Sequence, residues 1–146
     1  MVAEFSGRIH VKHKRRFKIG TLVRDKMPER IEKLGGYVNF QHLDADGYLQ
    51  HLRLKLKEEA EELCKAATPK EIQEEIADVL EVLQAFAKKN GLKWVHIEKK
   101  RLQKRDERGG FKRGTFVEFV EVEAFDDSHP IVQYCLANPE DYPEIL

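Results

Sequence analysis

Apolar positions recur along this chain with two different periods. Between residues 9 and 19, Ile9, Val11, Phe17 and Ile19 share one parity and His10, Lys12, Lys14, Arg16 and Lys18 the other, which predicts a β-strand. A second segment, 116–125, also reads as β, and its apolar residues change parity midway, as a bulge would make them. Between the two, the period becomes helical. Leu49, Leu52, Leu56, Ala60, Leu63 and Ala67 all project within roughly 40° of Leu56 at 100° per residue, so a long helix is expected from about 46 to 67. Ile72, Ile76, Val79, Leu80, Val82, Leu83, Phe86 and Ala87 cover a wider apolar arc on a second helix, from about 69 to 90.

Punctuating residues agree with these bounds. Thr68-Pro69 reads as an N-cap followed by a first helical residue, and Asn90-Gly91 as a C-terminal stop. Pro28 opens a short helix that Gly35-Gly36 ends, and Gly109-Gly110 closes a basic helix over about 93–108. Ser128-His129-Pro130 opens a last short helix to about 136. The expected fold is mainly α: a helical hairpin completed into a bundle, with a small antiparallel β appendage made by the two terminal strands. Opposite charges on those strands favour their pairing over use of Lys12–Lys18 as a nucleic-acid surface. At 146 residues without repeat or linker, the chain reads as one domain, 1–146.

The chemistry lies on the two long helices. Glu59 projects roughly 60° and Glu62 roughly 120° from the centre of the first apolar stripe, with Lys55 between them. On the second helix Glu75 projects between Val79 and Val82, inside the apolar arc, and Asp78 sits at its edge. An ionised carboxylate in an apolar arc is costly unless it is paired or metal-bound. A turn at Thr68-Pro69 places residues 62 and 75 at similar distances from the reversal, so four carboxylates would converge and repel without a dication among them. All-oxygen ligation suits Mg²⁺, or Mn²⁺, over zinc, and Mg²⁺ sites commonly recruit substrate phosphates. The bland alternatives are an arginine partner for Glu75 and a solvated acidic face for Glu59 and Glu62.

Charge sharpens this picture. The 26 basic and 26 acidic residues cancel, which argues against a broad polyanion binder. The cancellation hides segregation: residues 57–81 hold nine acidic against three basic side chains, whereas 98–113 hold eight basic against three acidic. Basic segments flanking an acidic centre suit a small polyphosphate. No apolar run reaches the roughly 20 residues of a membrane span, so no membrane partner is expected. Cys64 and Cys135 make no disulfide framework, which points to a reducing cytoplasm. The six histidines show no zinc spacing, and Trp94 reads as core, with nucleobase stacking as the minor alternative.

Glu59-x-x-Glu62 followed after twelve residues by Glu75-x-x-Asp78 resembles the carboxylate signature of the all-α nucleoside triphosphate pyrophosphohydrolases. Leu22-Val-Arg-Asp-Lys-Met-Pro28, Lys57-Glu-Glu-Ala-Glu-Glu-Leu63, Glu75-Ile-Ala-Asp-Val-Leu-Glu-Val82 and Arg108-Gly-Gly-Phe111 look like the MazG-like, phosphoribosyl-ATP pyrophosphohydrolase-like house-cleaning branch, over roughly 20–115. The resemblance implies hydrolysis between the α and β phosphates of a nucleoside triphosphate. It implies Mg²⁺ held by Glu59, Glu62, Glu75 and Asp78, with Glu58 nominated to accept the water proton. Arg24, Lys26, Lys55, Lys104 and Arg105 are candidates to neutralise phosphate charge. The wide apolar arc implies a homodimer or higher homo-oligomer. The rival reading is a non-catalytic helical module that binds nucleotide, nucleic acid or protein, which has no need of the carboxylate quartet. The chain departs from short family members in its first twenty or so residues and in its last thirty. Tyr134, Tyr142 and Pro143 in that tail could cover a site or cap the fold.

Overall fold

A computed structural model describes residues 13–123 and 126–145. Among the described residues five helices follow one another: α1 (Met27–Lys33), α2 (Ala45–Lys65), α3 (Pro69–Lys89), α4 (Trp94–Arg108) and α5 (Pro130–Leu136). By its internal packing the chain divides into two compact units, Met1–Arg101 and Leu102–Leu146.

The first unit is organised by the hairpin of α2 and α3, which pack against each other. Asp44 caps α2, its side chain accepting from the Gly47 amide at 2.8 Å. The reversal takes only residues 66–68. Thr68 then opens α3 with a capping box: its hydroxyl accepts from the Glu71 amide, while the Glu71 carboxylate accepts from the amides of Thr68 and Ala67 at 3.0 Å. Gly91, at φ 67°, releases the chain beyond Asn90.

Leu52, Val82 and Ala87 form the buried apolar core of the described residues, and one acid, Glu59, is buried with them. Burying a side chain such as Leu52 contributes about 2 kcal/mol. Much of the α3 arc stays at the surface, however. Ile72, Ile76 and Leu80 are 38%, 45% and 43% exposed. Ahead of the hairpin, α1 carries Pro28 in its first turn and ends at Lys33, just before Gly35-Gly36, where a Cβ on Gly36 would meet Ile31 Cγ2 at 2.6 Å.

In the second unit, the last turns of α4 end at Gly109, whose amide donates to the Arg105 carbonyl at 2.9 Å. His129 caps α5 through Nδ1, which accepts from the Ile131 amide at 3.2 Å.

The expected β appendage is absent from the described residues, which contain no strand. Ile9, His10, Val11 and Lys12 of the first predicted strand, and Ala124 and Phe125 of the second, lie outside the described residues. The described remainders, 13–19 and 116–123, take no regular structure. Alternation is a local property, whereas a strand exists through the ladder it forms with a neighbour. Phe17, Ile19, Phe116, Val117, Phe119 and Val120 are all exposed, so the alternation buries no face. The five helices, by contrast, fall within a few residues of their expected bounds.

Candidate functional site

The helical phase of α2 and the short reversal decide what meets at the hairpin. Lys55, Glu59 and Glu62 stand on successive turns of α2, and Glu75 is brought back opposite them by α3. Glu59, Glu62 and Glu75 each offer a carboxylate oxygen, and these oxygens lie within 4.8 Å of one another. Glu59 is 6% exposed, Glu75 is half-buried and Glu62 faces solvent. The Glu75 Oε2 atom is buried and has no hydrogen-bond partner. Desolvation pushes the Glu75 carboxyl above its ordinary range, and the negative charges of Glu62, Glu59, Asp78 and Glu74 push it the same way.

Two cations stand against this acidic group. Lys55 Nζ lies 2.7 Å from Glu59 Oε1 and 2.9 Å from Glu58 Oε1. Desolvation works against the Lys55 ammonium, but the hydrogen bonds and charges of Glu58 and Glu59 outweigh it and raise its pKa. Glu58 is itself pinned from the other side, its Oε2 accepting from Thr21 Oγ1 at 2.7 Å. The Lys55 and Thr21 hydrogen bonds hold the Glu58 carboxyl below the usual range. The second cation is Arg24, which pairs with Asp78 and lies 3.9 Å from Glu81. Its hydrogen bond to Asp78 raises its pKa against a small desolvation cost.

The structure therefore brings together three of the four expected carboxylates, while the fourth, Asp78, is engaged by Arg24. Lys55 and Arg24 stand at the cluster. Lys26 is the N-terminal flanking residue of α1 and makes no capping bond with its side chain. Lys104 and Arg105 lie on the last turns of α4, exposed, in the second unit. Two contributors were not foreseen. Thr21 touches Glu58 across a gap of 37 residues, which no local pattern announces. Glu81 did carry a signal, because it continues the three-residue step from Glu75 through Asp78.

The donor set fits a hard dication. It consists of carboxylate oxygens alone, and one of them is buried without a proton donor to satisfy it.

A helical hairpin that brings acidic residues of two helices together is what the resemblance to the MazG-like all-α nucleoside triphosphate pyrophosphohydrolases implies. Residues 41–106 match the family described as phosphoribosyl-ATP pyrophosphohydrolase, which places this segment in that branch of the superfamily. The match spans α2, α3 and most of α4, and so contains every carboxylate of the cluster. No curated protein and no solved structure matches the chain. Among the described residues no helix is long and apolar enough to cross a membrane.

Proposed function

We propose that this protein is a Mg²⁺-dependent nucleoside triphosphate pyrophosphohydrolase with a house-cleaning role. The reading rests on one observation: three carboxylates from two helices converge within 4.8 Å, and one keeps a buried oxygen without a partner. Stability alone gives no reason for this, since like charges at such distances repel. Glu59, Glu62 and Glu75 would hold the cation, and Asp78, one turn beyond Glu75, would join them as a fourth ligand if Arg24 released it. When bound, Mg²⁺ (or Mn²⁺) polarises the phosphoryl oxygens and makes water a better nucleophile.

The chain's own residues have distinct tasks in this reaction. Water supplies an oxygen, the bond between the α and β phosphates breaks, and pyrophosphate leaves beside a nucleoside monophosphate. Arg24, freed from Asp78, meets the phosphate charge that develops, with Lys26, Lys104 and Arg105 as further candidates. Lys55 is committed to Glu58 and Glu59, so it fixes the ligand geometry first and meets substrate second. Glu58 has both oxygens hydrogen-bonded and holds a proton poorly, which suits a brace for Lys55 better than an acceptor of the water proton. The exposed Ile72, Ile76 and Leu80 stripe supports a homodimer that completes the bundle.

The deciding experiment measures pyrophosphate release with Mg²⁺ over a panel of canonical and modified nucleoside triphosphates and phosphoribosyl-ATP. Release from at least one substrate is expected. Silence across the panel would sink the proposal.

A further inference from the structure

Beside the carboxylates, and built from the same segment and helix, lies a groove of about 730 Å³ that the reaction above leaves unused. Ligand sites commonly occupy roughly 300–1,000 Å³. Its wall carries Asp25, Tyr48, Glu81, Gln84, Lys88 and Trp94. We infer that this groove receives the base of the nucleotide whose phosphates reach the carboxylate cluster, and that it selects bases with an amine at the purine 6 or pyrimidine 4 position, adenine or cytosine, over uracil. The inference rests on the pyrophosphohydrolase reading and adds a base subsite to it.

Position is the first argument. Glu81 stands one turn beyond Asp78 on α3 and is the second carboxylate beside Arg24, at 3.9 Å, so the groove opens where the acidic cluster ends. Asp25 follows Arg24 directly in the chain. Gln84 lies six residues beyond Asp78, roughly 9 Å along the helix at 1.5 Å per residue, a separation within the reach of one nucleotide.

Chemistry is the second argument. Lys89 lies over the Tyr48 ring, 5.7 Å from its centroid, so that ring already has a cation on it. Trp94, 39% exposed, is then the aromatic surface open to a base. Stacking of a base on an aromatic side chain contributes about 1–3 kcal/mol whatever the base. The polar groups beside it decide among bases. Asp25 and Glu81 offer acceptors for an amino group, and a Gln amide such as Gln84 matches adenine by giving and taking a hydrogen bond. Uracil presents a carbonyl where cytosine presents the amine, and two carboxylates oppose it.

Trp94 is the single tryptophan of the chain, so its fluorescence reports on this groove. The experiment titrates the protein in EDTA, where no hydrolysis occurs, with AMP, CMP, UMP and inorganic pyrophosphate. AMP and CMP should quench Trp94 at concentrations about tenfold below UMP, and pyrophosphate should leave the emission unchanged. Q84A, on an exposed side chain, should weaken AMP about tenfold, and in Mg²⁺ should raise KM more than it lowers kcat. W94F keeps a stacking ring and should retain nucleotide KM within a few-fold. Equal quenching by all four ligands, or an unaltered AMP titration in Q84A, overturns the inference. The two readings fail separately. Pyrophosphate release with Trp94 blind to AMP and CMP removes the groove alone; Trp94 titration without release on the panel removes the enzyme and leaves a nucleotide site.

Discussion

Arg24 and Asp78, 54 residues apart in sequence, form an ion pair that holds the one carboxylate of the expected quartet standing apart from the other three. The pair is open to solvent, with side chains 57% and 39% exposed, so its contribution to stability is at most about 1 kcal/mol. Its consequence is for function. R24Q should unfold in urea within about 1 kcal/mol of the wild type. It should bind Mg²⁺ at least as well, because Asp78 is released, yet raise the nucleotide KM about tenfold. A variant with weaker Mg²⁺ binding and an unchanged KM would show that Arg24 organises the ligands and does not meet phosphate.

Lys55 and Glu59 are the buried counterpart of that pair. Removing one partner of a buried ion pair costs about 3–5 kcal/mol, and because Lys55 retains some solvent contact the loss in K55M should be nearer about 2 kcal/mol. Urea titrations with and without Mg²⁺ check it, and the loss should shrink when Mg²⁺ supplies the missing positive charge. An equal loss in both conditions would separate Lys55 from the metal site.

Glu75 carries the sharpest test of the cluster. E75Q keeps the shape and removes the charge that burial and four neighbouring carboxylates oppose, so the metal-free fold should be as stable as the wild type or slightly more. Pyrophosphate release should fall at least about 100-fold, and stabilisation by Mg²⁺ in a thermal melt should disappear. An active E75Q would refute the ligand assignment.

The start of α3 gives a prediction about acid. Hydrogen bonds from the amides of Thr68 and Ala67 hold Glu71 below its ordinary value of 4.5. A depressed carboxyl stabilises the fold above that ordinary value, and the contribution is lost as pH falls through the lowered folded-state value. E71A should therefore show a smaller loss of urea midpoint than the wild type as pH drops below about 4.5. T68A, which removes the cap itself, should cost about 1 kcal/mol at neutral pH.

The apolar stripe on α3 bears on assembly. I76K places a charge in the middle of Ile72, Ile76 and Leu80 and should turn a dimeric sedimentation profile into a monomeric one. If the wild type already sediments as a monomer at micromolar concentration, the stripe has another purpose.

The helices were legible because their ends are written locally: Thr68 and Glu71 form a capping box with themselves, and Gly91 needs no partner to end α3. The carboxylate cluster was legible because Glu75 stands inside an apolar arc, which the period alone discloses. The arrangement around it was not. Thr21 on Glu58 and Arg24 on Asp78 are tertiary contacts between a segment without regular structure and two helices, and no spacing encodes them. The terminal alternations misled for the related reason that pairing belongs to two segments, whereas a pattern belongs to one. The groove beside Trp94 was hidden as well, because its wall draws on the start of α2, the end of α3 and the chain before α1.

The three-residue reversal between α2 and α3 acts as an index mark. One residue added inside α3 between this reversal and Glu75 would turn every later side chain of the helix by about 100° and advance it by about 1.5 Å relative to the Thr68 cap. Glu75 would then swing off the facing carboxylates while both helices stayed intact. A change in helix length at the far end of the hairpin would leave this facing intact, whereas a change between Thr68 and Glu75 would not.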